Sequence, residues 1–454
     1  MIDFFLFCVV VFFSLYYSNK SILNSFCFLL LSYFILYYNI GFQLKFIGVN
    51  SVLSFSRVYF LAFLIVYFYK RFHSKNKIPF IESKGDNILL LFLFYIFLTF
   101  FWGISFVYDL KNFFSERWLF GFGAYFIAKD VFRTKQSIII LFKFLFLALI
   151  ILSAYGLIEF VTATPLMQLP FFRSLNLIDS SYESLAFNPN EGFVTRGSML
   201  RLSGTFWNSI IFSIALTFLY PYYLLLKNFN IKYLKISFIP LTLVAILTIG
   251  RTAWFSMILA LIFNIKKYKF LTFIAILLFI IIAIPFFNQN IENANYLDQD
   301  IFSVASRMYT LPILLEIPSK LILLGNGIGS YFYAVEQSQI TIFTTLCGDN
   351  SLLQFLYIIG VIGALFLFIF IGNYYFHLKK LTKDYIKDSF EYNLLKGTQI
   401  VIIIQMILFM ITNSIFQDTR LLFIFFSLLG AIKGYFNSVS NNEIIQNYDL
   451  QLKS

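Results

Sequence analysis

The sequence predicts an all-α fold: a polytopic integral membrane protein of about 12–13 transmembrane helices with two long extracytoplasmic loops. Three observations predict it. Of 454 residues, 60% are hydrophobic and only 12% charged, too apolar a chain for a water-soluble core. Apolar runs recur at the length of roughly 20 residues that a helix needs to cross a bilayer. Lysines fall in short connections between those runs, whereas arginines, glycines and acids collect in two polar stretches, 164–205 and 288–350. Runs such as 137–163, 270–287 and 351–372 are continuously apolar and do not alternate, which excludes a transmembrane β-barrel.

In chain order the apolar segments lie near 3–17, 22–40, 51–69, 87–107, 117–132, 137–163, 206–226, 236–249, 252–265, 270–287, 351–372, 394–412 and 420–436. The first follows Met1-Ile-Asp without a basic leader or a small-residue cleavage site, so it reads as a retained helix. The chain then divides into N-terminal transmembrane helices (1–163), a first long loop (164–205), transmembrane helices (206–287), a second long loop with an amphipathic lid helix (288–350), C-terminal transmembrane helices (351–436) and a cytoplasmic tail (437–454). The lid helix is expected over 303–315, where Val304, Met308, Leu311 and Leu315 fall at helical spacing.

Orientation follows from the basic connections Lys70 to Lys84, Arg133 to Lys135, Lys227 to Lys235, Lys266 to Lys269 and Lys379 to Lys387, which are retained in the cytoplasm. Their alternation requires 236–265 to be two short helices with Gly250 and Arg251 at an outward tip. Trp102, Trp118, Trp207 and Trp254 then fall at outer helix ends, as an interfacial aromatic belt or as flat faces for a sugar ring.

Several function classes drop out. A net charge of +12 would suit nucleic acid in a soluble protein, but here it marks topology. Cys8 and Cys27 lie in apolar segments and Cys347 stands alone, so neither a disulfide framework nor a thiolate metal site is readable. Both histidines, His73 and His377, sit among lysines on the cytoplasmic side. No metal and no cofactor are expected. The absence of matching repeats and the clustering of polar islands on one face speak against a transporter built from paired halves.

Four polar islands remain. Arg201-Leu-Ser-Gly-Thr-Phe-Trp-Asn208 re-enters the membrane from the first loop. An arginine at such depth costs about 2.5–3.5 kcal/mol, which a bound phosphate or a carboxylate such as Glu191 or Glu159 would offset, and Gly204 lets a backbone approach closely. Gly250-Arg251 sets a second cation at a helix N-terminus. Ser306-Arg307 on the lid helix and the turn Gly325-Asn-Gly-Ile-Gly329 form the third; with no preceding strand and no Walker lysine the turn is no nucleotide loop, and it reads as a flexible return to the core. Gly348-Asp-Asn-Ser-Leu-Leu-Gln354, followed by Gly360 and Gly363, is the fourth. Asp349 there is either an N-cap or a base facing the arginines.

In this order, over residues 195–372, the islands resemble the O-antigen polymerase and ligase family. The resemblance implies a bacterial inner (cytoplasmic) membrane enzyme with its active site on the extracytoplasmic face. Its substrates would be a polyprenyl-diphosphate-linked oligosaccharide donor and an acceptor glycan, with the lipid bilayer, a chain-length regulator and a flippase as partners and no nucleic acid. It further implies metal-independent, inverting transfer in which Arg201, Arg251 and Arg307 stabilise the departing diphosphate. Gly204, Trp207, Trp254, Asn350 and Glu191 would line the substrate site. Ligases of the family carry a histidine before the asparagine of the last island; Asp349 stands there in this chain, which favours a polymerase and makes Asp349 the first candidate base, before Glu191 and Asp300. An O-antigen ligase and a polysaccharide flippase are the alternatives.

Overall fold

The computed structural model of the chain describes residues 2–35, 41–46, 49–74, 79, 81–104, 106–113, 118–162, 195–196, 199–200, 202, 209–248, 251–264, 323–330, 351–411, 416 and 418–451. Every apolar segment named above contains a described helix, save 270–287, which lies outside these residues. The helices are α1 (Ile2–Lys20), α2 (Ile22–Ile35), α3 (Phe55–His73), α4 (Lys84–Leu98), α5 (Phe106–Phe113), α6 (Leu119–Val131), α7 (Lys135–Thr162), α8 (Ser209–Thr217), α9 (Tyr220–Leu226), α10 (Leu234–Leu247), α11 (Arg251–Asn264), α12 (Ser351–Leu381), α13 (Phe390–Ile411) and α14 (Thr419–Gln451). Five stretches, Lys84–Phe101, Lys135–Thr162, Ser351–Leu381, Phe390–Met410 and Thr419–Ser440, are long and apolar enough to cross a membrane. The chain is a helical membrane protein.

Sequence and structure part at four helix boundaries, each for a local reason. Residues 51–54 begin no helix: Gly41–Phe46 (β1) and Val49–Ser54 (β2) pair antiparallel, with Gly41 opposite Ser54. The alternation Phe42-Gln-Leu-Lys-Phe46 and the β-branched Val49 and Val52 suit a ribbon. A second, shorter ribbon pairs Thr195–Arg196 (β3) with Met199–Leu200 (β4). Segment 87–107 divides because α4 closes in a 3-10 turn at Thr99–Phe101, whose Thr99 hydroxyl donates to Ile96 O, and α5 then starts separately. Segment 206–226 divides because Pro221 opens a new helix at the first turn of α9. At its far end the chain stays helical well into the expected tail, to Gln451.

Within lipid there is little hydrophobic drive between helices, so close packing must hold them. The tightest crossing joins α6 to α14 through Gly430-Ala-Ile-Lys-Gly434: a Cβ on Gly430 would collide with the Tyr125 carbonyl and one on Gly434 with that of Lys129. Around it Phe122 and Phe426 stand 4.4 Å apart, and Tyr33 stacks on Phe423 at 4.5 Å.

The other special glycine is Gly360, at φ 66° and ψ −178° in the middle of α12, where two helical halves meet at a kink. A side chain there would run into Leu323 O and, at 2.5 Å, Gly325 N. Gly360→Ala is therefore expected to cost on the order of 1–3 kcal/mol, read as a fall in the thermal unfolding midpoint of the purified protein, whereas Gly372→Ala, with open space around it, should leave the midpoint unchanged.

Candidate functional site

The described basic connections gather at one end of the helix bundle. There Lys70 Nζ donates to the carbonyls that close α1, Arg71 pairs with Asp130, Arg133 with Glu82 at 3.4 Å, and Lys135 with Glu391 at 3.0 Å. Lys433 Nζ meets His377 Nε2 at 2.7 Å, so His377 belongs to this end and to no metal or catalytic cluster at the other. The helix ends beside the two long polar stretches, Thr162, Ser209 and Ser351, lie at the opposite end, as do Thr248 and Arg251 on either side of the tip between α10 and α11.

At that opposite end α7, α8 and α10 converge. A Cβ on Gly156 would sit 2.5 Å from Val244 and 3.3 Å from the Phe212 ring, so side chains of α8 and α10 press on the α7 backbone at this level. One turn further out come Glu159, fully buried in α7, and Thr248, fully buried at the end of α10. α11 packs along α8 and begins at Arg251 itself. The expected break between two short helices is thus present, with Arg251 as the first residue of the second. Leu202, next in the chain to Arg201, is buried in the core, which anchors the approach to α8. Ser209 and Arg251, the described helix starts beside the first two arginine islands, therefore share one mouth, at which Glu159 is buried.

The second part of this end is the kink in α12. Asn326 N and Nδ2 donate to Tyr357 O at 2.9 and 3.2 Å, Gly327 N donates to Ile358 O at 3.0 Å, and the Tyr95 hydroxyl bridges Ile359 O and Leu324 O at 3.0 Å each. Trp102 Nε1 also reaches Leu324 O at 3.3 Å. The turn Gly325–Gly329 thus supplies the donors that a broken helix needs for its exposed carbonyls. The sequence suggests a flexible return; the structure corrects this to a buried, doubly bonded splint. Gly363 keeps its expected role of close packing, here against the Tyr95 ring.

Of the tryptophans, Trp118 is fully buried, between Phe122 and Phe355, and so does not belong to an interfacial belt. Trp254 is half-buried on α11 and Trp102 half-buried beside the glycine turn. Asp349, Arg201, Arg307, Gly204, Trp207, Asn350 and Glu191 lie outside the described residues, as do the Arg251 side chain and the lid segment 303–315.

Two charged groups at this end escaped the sequence reading. Asp418 caps α14: its Oδ1 accepts from Arg420 N and Leu421 N at 2.9 and 3.1 Å, and its Oδ2 accepts from the Arg420 guanidinium at 3.0 Å, with both side chains almost fully buried. The Asp-x-Arg spacing at the head of the last apolar segment is the signal. Asp109 on α5 is fully buried as well; it lies just past an apolar run and has no sequence partner to betray it.

No family model matches this chain, and neither a curated protein nor a solved structure does.

Proposed function

We propose that this protein is a membrane glycosyltransferase that polymerises polyprenyl-diphosphate-linked oligosaccharide repeat units into O-antigen, capsule or exopolysaccharide. It would work at the extracytoplasmic face of a bacterial inner membrane. One observation carries the reading: Glu159, Thr248, the start of α8 after the Arg201 island and the start of α11 at Arg251 share one mouth, opposite the basic end. Two guanidiniums on segments leaving one mouth suit the two phosphates of a lipid-diphosphate leaving group, which each can hold in bidentate fashion without a metal.

In this mechanism the acceptor hydroxyl attacks the anomeric carbon of the donor with inversion. The bond to the diphosphate breaks, and Arg201, Arg251 and Arg307 take up the charge that develops on its oxygen. Asp349 receives the hydroxyl proton. The diphosphate is a good leaving group, so charge stabilisation carries most of the catalysis.

A strain lacking the gene is expected to accumulate single lipid-linked repeat units on the outer face and to regain long glycan with the wild-type gene. Full polymer left unattached to its lipid would replace this reading by a ligase, and repeat units trapped inside would replace it by a flippase.

A further inference from the structure

Asp109 is a fully buried carboxyl. Gly329 N donates to its Oδ1 at 2.6 Å, while Oδ2 finds no donor among the described residues. Two glycines enclose it: a Cβ on Gly103 would overlap Oδ2, and one on Gly327, which holds φ 97°, would lie 2.6 Å from Oδ2 and 2.8 Å from Oδ1. Ile104 N donates to Asn326 O at 3.0 Å beside it, and Gly327 N holds the kink in α12. Asp109 therefore stands where α5, the 3-10 turn and the glycine splint meet.

We propose that Asp109 is a positioning residue: by accepting from Gly329 it clamps the glycine turn to α5 and fixes where the second polar stretch meets the kinked helix, and losing its proton strands a buried charge, with Gly329 N its one donor among the described residues, that opening the turn to water relieves. Among the described residues the titratable groups around it are few. From the α4 side Tyr95 has its hydroxyl engaged by two carbonyls; the glycine turn contributes none; on its own helix stand Tyr108 and Lys111, whose side chains lie outside the described residues. Burial pushes the Asp109 carboxyl up to about 6, against a partial pull downward by the Gly329 N–H. A raised carboxyl favours the folded clamp while protonated, so its support is complete below the ordinary value of 3.8 and is lost as the pH rises through about 6.

The clamp stands on this geometry alone; its effect on chain growth rests on the polymerase reading. Hydrogen exchange of the full-length protein in lipid nanodiscs, followed over residues 325–330 from pH 5 to 8 and corrected for intrinsic rates, tests the clamp. Wild type should lose protection on the order of tenfold from pH 5 upward and level off above about 6. Asp109→Asn, which keeps an acceptor and stays neutral, should remain protected throughout; Asp109→Leu should be unprotected at every pH. A flat wild-type profile, or equal protection in the Asn and Leu variants, overturns the proposal. Should the Leu variant fail to reach the membrane, Gly103→Ala displaces the carboxyl instead, and the wild-type titration needs no variant. In cells, Asp109→Asn should restore long glycan and Asp109→Leu should shorten it. Unaltered glycan in the deletion strain would sink the polymerase reading and leave the exchange result standing.

Discussion

Replacing Arg251 by alanine is expected to collapse the glycan of a complemented deletion strain from long chains to single repeat units, with membrane abundance unchanged. The size follows from the work assigned to it. Removing one preorganised donor from a developing anion commonly lowers turnover by about 10²–10³-fold. Chain length depends on many successive transfers, so even the lower figure would leave few long products. Arg251→Lys keeps the charge but loses the two-pronged guanidinium and should give short chains. Arg201→Ala should match Arg251→Ala. Because the two would hold one diphosphate, the double variant should be little worse than the poorer single one. Full-length glycan from either alanine variant at normal abundance would show that the mouth at Glu159 is not the diphosphate site. Abundance is measured for every variant, so loss of polymer with normal abundance reads as chemistry.

How much of this was legible in the sequence depends on the kind of residue. Long apolar runs announce themselves, and α7, α13 and the second half of α12 stand where hydropathy puts them. The break between α10 and α11 was also legible, because a single helix would have put Lys266 on the wrong side. Hydropathy does not see backbone geometry, however. Gly360 falls in an unbroken apolar stretch, and only the turn at 325–330, distant in sequence, explains why the helix kinks there. The ribbon β1–β2 is hidden for a related reason: its alternating apolar residues merge with the helices on either side. Trp118 shows the limit of reading position from residue type. At a helix end it looked interfacial, and inter-helix packing against Phe355 buries it. The candidate site divides along the same line. Arg251 is a candidate because a charge in an apolar chain stands out, whereas Asp109 does not stand out, because its donor is the peptide group of a glycine distant in sequence.

The basic end should carry the largest single stability effect in the molecule. Asp86 and Lys129 are both buried to within 1% and lie 2.9 Å apart. Asp86 also accepts from Glu82 N at 2.8 Å, Ser83 N at 3.0 Å and the Tyr125 hydroxyl at 2.8 Å, so it closes the capping box that starts α4. Lys129→Met would leave that carboxylate buried without its cation, and is expected to destabilise by about 3–5 kcal/mol, seen as a large fall in the unfolding midpoint in detergent and as low membrane abundance. Asp86→Asn in the same chain removes the stranded charge while keeping an acceptor for the two backbone N–H groups, and should recover most of the loss. Asp86→Leu would remove the charge but also the cap, and should recover less, by about 0.5–2 kcal/mol. If Lys129→Met alone left the midpoint within a degree of wild type, water would have to reach Asp86 in the folded protein. The ordering Lys129→Met below the Leu double variant below the Asn double variant separates the cost of an unpaired charge from the cost of a lost cap.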